Sequence, residues 1–197
     1  MAKKKLNFKN FEKYIANDKV VRSEIFNIVN PKIEESKQKL IQNFISHPVS
    51  SEISSGPNSS NISGTLGGYG NLFSFIGFNS GDDPVNKWVS FLKKIILLND
   101  KIDTSFSGRG IIFKLRINSV TDTDLVSVSP MPWESGRSWI QAIERGISGF
   151  SFYISKMQSG RSTGGIQSNY RKKTSAGKFR NVPYWSKLWK QFIKDIN

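Results

Sequence analysis

The side chains that could carry chemistry are few. The chain has one histidine, His47, and no cysteine, so multi-histidine and thiolate metal centres, disulfides and cysteine nucleophiles are excluded. His47 precedes Pro48 at the expected exit of a helix, where a histidine more readily serves the helix dipole than a catalytic set. Ser90-Phe91-Leu92-Lys93 has the Ser-x-x-Lys spacing of a serine nucleophile and its base, but it falls in a plain amphipathic segment. Gly64, Gly67, Gly68 and Gly70 do not have phosphate-loop spacing, and no Gly-Lys-Ser/Thr follows them; they read instead as a structural turn. Asp82 and Asp83 could hold a cation, yet a helix cap accounts for both. Glu134 and Glu144 have no evident partner acid. The expectation is a protein that is no enzyme, with no catalytic, cofactor-binding or metal-binding residue.

Binding is better represented. Tyr170, Arg171, Lys172, Lys173, Lys178, Phe179 and Arg180 interleave cations with aromatics. Such a segment can wrap a neighbouring subunit and order on it. Alternatively, its cations can meet phosphates in a DNA channel, or an acidic partner, while its aromatics stack on bases. A solvated basic surface is the third reading. Beyond it, Trp185, Leu188, Trp189 and Phe192 recur at helical spacing, a stripe that serves either the core or, with Phe179, a subunit interface.

Charge locates these segments. The chain carries +14 overall. By count, residues 1–46 hold +5, residues 47–155 are neutral, and residues 156–197 hold +9. A neutral body with basic ends implies an anionic partner. No apolar run approaches the roughly 18 residues of a membrane helix, and Met1-Ala2-Lys3-Lys4-Lys5 does not read as a secretory leader.

The elements that must position these residues follow from periodicity. Residues 1–17 read as a basic arm, 18–156 as the core domain, and 157–197 as a basic loop and final helix for subunit contacts. A helix over 18–46, capped by Asn17 or Asp18, carries Ile25, Val29, Ile33, Leu40 and Phe44 at helical spacing and a kink at Pro31. Residues 50–63 are Ser-, Asn- and Gly-rich and read as an exposed loop. Leu72–Phe78 reads as an aromatic strand. Asp82-Asp83-Pro84 starts a second helix reaching about residue 98. Residues 110–118 alternate strictly and 125–129 follow as a short strand; 135–156 reads as a third helix. The fold expected is α+β: a small, mainly antiparallel sheet of 71–78, 110–118 and 125–129, packed by the three helices.

The order of these features carries a resemblance. The long helix exits through Pro48-Val49, a Ser63-Gly64-Thr65-Leu66 turn opens the glycine run, and Phe179-Arg180-Asn181-Val182-Pro183-Tyr184-Trp185 steps into the last helix. This order resembles the small neck and tail-completion proteins of tailed bacteriophages. The match is best over residues 18–78 and 179–193. Residues 61–84 also resemble virion structural proteins of contractile-tailed, T-even-like marine phages. Where that family carries Pro-Val-Asp-Thr-Gly, this chain has Pro48-Val49-Ser50-Ser51-Glu52, followed by an insert of about ten residues. The resemblance implies a structural virion subunit at the neck or tail, made in the host cytoplasm. It implies a ring, hexameric or dodecameric, that joins head to tail as neck, tail-completion or tail-terminator protein and passes DNA. Its partners would be itself and other neck, portal or tail proteins, with nonspecific DNA contact and no membrane. The reading from another class is a sequence-nonspecific nucleic-acid-binding protein that uses its C-terminal basic segment.

Overall fold

The computed structural model describes residues 8–68, 70–107, 110–147 and 179–196. In chain order the elements are α1 (Phe8–Asn17), α2 (Lys19–Ser46), α3 (Pro48–Ser54), a 3-10 turn (Gly56–Asn58), α4 (Leu72–Ile76), α5 (Pro84–Ile95), β1 (Leu98–Ser107), β2 (Gly110–Ile117), α6 (Asp122–Val128), β3 (Pro130–Met131), β4 (Glu134–Ser138), α7 (Trp139–Arg145) and α8 (Trp185–Ile196). The class is α+β with antiparallel pairing, as expected. Among the described residues no helix is long and apolar enough to cross a membrane.

The strand assignments differ from expectation. Residues 71–78 form no strand. Asn71 caps α4 by accepting from Ser74 N, and Gly77 closes it at φ 90°. The short apolar run Leu72-Phe73-Ser74-Phe75-Ile76 satisfies strand and short-helix templates equally, and the two terminal caps decide for the helix. Residues 125–129 lie in and just beyond α6, whose N-terminus is a capping box between Thr121 and Asp124. The true partner of 110–117 is β1, paired antiparallel from Ser107↔Gly110 to Leu98↔Ile117 with an irregularity between Leu98 and Ile102. The expected third helix begins as β4, and α7 starts only after Ser138 caps it. It ends at Gly146, which adopts φ 97°. Residues 148–156 lie outside the described part. Residues 8–17, expected within an arm, form a helix.

Helix α2 passes through Pro31 as one element, with Asp18 accepting from Val20 N and Val21 N. Its buried residues all come after the proline: Ile33, Ser36, Lys37, Leu40, Ile41 and Phe44. That half packs with α3, α4, α5, α7 and α8 around Phe44, Val49, Leu72, Trp88, Trp139, Ile143 and Tyr184, each almost wholly buried. Lys37 is buried too; it donates to Glu34 at 2.6 Å and to the Ile96 carbonyl at 3.3 Å, tying α2 to the end of α5. The first half of α2, with α1 and the β1–β2 ribbon, stands beside this core. Arg22 joins the three by donating to the carbonyls of Ala16 and Ile102.

Candidate functional site

The segments that carry the resemblance are far apart in sequence and meet in one junction. It begins at the exit of α2. His47 ends that helix in extended conformation, and its Nδ1 accepts from Val49 N, so the imidazole caps α3. Pro48 at the first position of α3 loses nothing by lacking an N–H. The histidine therefore serves the start of the next helix as a neutral acceptor, rather than the end of α2 as a cation. Its pKa is lowered, first because burial penalises the charged form and then because Lys187 is near.

Helix α3 occupies much of the stretch expected as an exposed loop, and it turns Val49, Ser50, Glu52 and Ile53 inward. The proline-first start was the available signal, outweighed in sequence by the surrounding serines. Ser50 hydrogen-bonds the phenol of Tyr184. That tyrosine is fully buried, and burial, the leading cause, raises its pKa well above the usual range, so it is a neutral phenol. Its ring stacks on Phe44 at 5.3 Å and lies 4.7 Å from His47.

Glu52 is the residue that sequence reasoning missed. It is fully buried. Its Oε1 accepts from Leu72 N at 2.7 Å and Asn61 Nδ2 at 2.9 Å; its Oε2 accepts from Ser63 N at 2.9 Å and Asn61 Nδ2 at 3.1 Å. Every partner is an N–H donor, so both oxygens act as acceptors, as those of a carboxylate do. One carboxylate thus ties both ends of the glycine-rich turn to α3. Asn61 completes the frame: its Oδ1 accepts from Leu66 N at 3.0 Å and Gly68 N at 3.2 Å. Nothing in a Ser-Ser-Glu-Ile string marks such an acid beforehand, because its donors are backbone groups contributed eleven and twenty residues later.

Within that frame Gly64, Gly67, Gly68 and Gly70 all take positive φ, between 65° and 88°. Other residues reach this region only at a cost. Thr65 is buried at the centre, and its carbonyl accepts from Arg180 N at 2.8 Å. The turn is thereby joined to the segment leading into α8, and Phe179 stacks on Phe75 at 5.8 Å. From α7, Glu144 Oε1 accepts from Tyr184 N at 3.0 Å and Ser186 N at 2.6 Å, holding the start of α8.

The residues expected at a subunit interface are mostly spent inside the chain. Trp185 is 7% exposed and Phe192 1%. The Trp185 ring meets Trp88 at 5.2 Å, Trp189 at 5.4 Å and Phe44 at 6.4 Å. Leu188 and Trp189 are half-buried against the same core. The reason is geometric: α8 lies along the second half of α2, and its apolar stripe is the face turned toward it. Of the expected DNA-channel or acidic-partner contacts, Arg171, Lys172, Lys173 and Lys178 lie outside the described residues. The side chain of Arg180 is exposed.

Comparison with known proteins adds no relative: no family model, curated protein or solved structure matches the chain.

Proposed function

We propose that this chain is a structural virion protein of a tailed phage. It would act as a ring-forming subunit at the head–tail junction, in a neck, tail-completion or tail-terminator role, joining head to tail around the DNA path. One observation carries the reading. The Pro48-Val49 exit, the Ser63-to-Leu66 turn and the Asn181-to-Trp185 step, through which the sequence resembles that family, converge on one buried junction. Val49, Leu66, Tyr184 and Trp185 belong to a single apolar cluster, and Thr65 O is bonded to Arg180 N. A subunit also needs surface for its neighbours. Tyr14, Val20 and Ile28, on α1 and the first half of α2, are each at least 70% exposed and offer apolar contacts to a neighbour.

The test is the mass of the purified full-length chain, by native mass spectrometry and negative-stain microscopy over a wide concentration range. A closed ring, hexameric or dodecameric, is expected, as is the chain's presence in purified virions. A chain that stays monomeric at about 100 μM, where interfaces of standard size are saturated, and that is absent from virions, overturns the reading.

A further inference from the structure

The outer face of α8 carries Lys187, Lys190 and Lys194, all exposed. None of them has an acidic partner within ion-pair distance among the described residues, where the ion pairs involve Lys37, Lys39, Arg116 and Arg137. The three positions follow the i, i+3, i+7 pattern that places side chains in a row along one helix face. The acids nearest the row are engaged elsewhere. Glu144 holds the backbone at the start of α8, Asp195 accepts from Gln191 at 2.6 Å, and Glu35 is paired with Lys39 on α2. Exposed residues of the flanking α2 surface, Gln38, Gln42, Asn43 and Ser46, are uncharged. The row is therefore a strip of positive charge that makes no ion pair among the described residues, with Asp195 the one acid on the same helix.

Its chemistry narrows the partner. Proteins that hold single strands stack bases on exposed aromatics. Here the aromatics of the same helix, Trp185, Trp189 and Phe192, are turned to the core, and the outer face shows lysines, Gln191 and Ile193. A lysine is a point charge that suits phosphate without demanding a planar, bidentate partner. The row spans seven residues, about 10 Å of helix. One strand of a DNA duplex presents a charge every 3.4 Å or so, hence roughly three phosphates over that length. We infer that the Lys187–Lys190–Lys194 row binds the phosphate backbone of duplex DNA, without sequence readout. This goes beyond the assembly reading and does not depend on it.

The experiment is fluorescence anisotropy with the full-length chain and a labelled duplex of about 20 base pairs, titrated from about 50 to 200 mM salt. Replacing the row (K187Q, K190Q and K194Q together) should flatten the log–log salt slope by roughly 2.7, at about 0.9 per phosphate contact, and weaken binding on the order of a hundredfold at low salt. The residues are exposed and unpaired, so the variant should keep the parent circular dichroism and melting. A control that neutralises Lys87, Lys93 and Lys94, exposed on α5, should leave the slope unchanged. The inference fails if both triple variants lose the same slope, because overall charge then suffices. It also fails if the row variant loses none, if a single strand binds more tightly than the duplex, or if an acidic polypeptide such as polyglutamate competes better than DNA. Native mass spectrometry of the row variant keeps the two readings apart, since ring mass and DNA slope are separate readouts.

Discussion

Glu52 gives the sharpest test of how the glycine-rich turn is held. A fully buried carboxylate that has no ion pair among the described residues is expensive, because desolvation of an ion costs several kcal/mol even after the surroundings relax. It persists here only because the N–H groups of Ser63, Leu72 and Asn61 repay that cost. Hydrogen bonds to a charged acceptor contribute about 1.5–3 kcal/mol each, and a buried donor left without an acceptor costs about 1–3 kcal/mol. Glu52→Gln keeps the shape and removes the charge. Its amide must then point an NH2 group at the backbone N–H of either Ser63 or Leu72, because each oxygen serves one of them. Relief of desolvation works the other way. With two backbone donors and one side-chain amide sharing the carboxylate, the lost bonds outweigh that relief, and we expect a net loss of about 1–3 kcal/mol. Glu52→Ala strands the Ser63 and Leu72 N–H groups, leaves Asn61 Nδ2 only its longer bonds to Ser63 Oγ and Thr65 Oγ1, and opens a cavity, for about 3–5 kcal/mol.

Urea unfolding followed by tryptophan fluorescence measures both. At a slope of about 2 kcal/mol per molar urea, the glutamine variant should shift the midpoint by roughly 0.5–1.5 M and the alanine variant by roughly 1.5–2.5 M. Amide exchange localises the effect: the Ser63 and Leu72 amides should be protected in the parent and lose protection in Glu52→Gln. If the glutamine variant is as stable as the parent, with both amides still protected, desolvation has won the balance. The ionised acid would then not be what holds the turn.

Further outcomes follow from the same junction. His47 is a neutral cap with a lowered pKa, so its contribution is present above the unfolded value of about 6.5 and is lost as pH falls through the lower folded value. Stability should therefore decline as pH falls below about 7, and His47→Asn, which can cap without titrating, should flatten that decline in urea midpoints measured against pH. Trp185→Ala should cost the isolated chain about 3–5 kcal/mol in urea unfolding, because it empties a core site, whereas Trp189→Ala, half-buried, should cost clearly less. Gly77→Ala should cost more than Gly67→Ala. Both positions have positive φ, but a methyl at 77 meets Trp133 Cδ1 at 3.2 Å while one at 67 meets nothing within 4 Å; thermal melts of the two variants decide.

The parts of this fold that were legible in the sequence share a trait: each is long enough to show its period or carries a cap of unambiguous type. Helix α2 showed its stripe across Pro31, α5 its Asp83-Pro84 start, and β2 its strict alternation. The parts that were not legible are short or polar. Strand β1, Leu98–Ser107, alternates too weakly through Asn99, Asp100 and Asp103 to announce itself, and its pairing to β2 is what makes it a strand. Helix α6 had a readable signal, Thr121 three residues before Asp124, ahead of a stretch too short to show a helical period. The glycines were recognised as a turn because positive φ leaves a residue-type signature. What fixes that turn was invisible. Glu52 and Thr65 act through backbone groups distant in sequence, and residue type at one end of a hydrogen bond says nothing of the other.

The same limit leaves the tryptophan stripe open in the sequence between core and interface, and a magnitude shows why the structure resolves it toward the core. An amphipathic helix near a chain end docks on its own body only if burial outweighs closing the connection to it. The connection from Ile147 to Phe179 is about thirty residues long, and closing such a loop costs roughly 3 kcal/mol plus a constant, growing only slowly with length. Against this, burying Tyr184, Trp185 and Phe192 contributes about 1.5–3 kcal/mol for each side chain. Glu144, Ser50 and Thr65 add hydrogen bonds to the same segment. The burial term is the larger, so α8 belongs to the folded chain whether or not a neighbour is present. A role for this segment toward a partner must then use what remains outside, which is lysine rather than tryptophan, and the binding it supports is governed by salt rather than by apolar area.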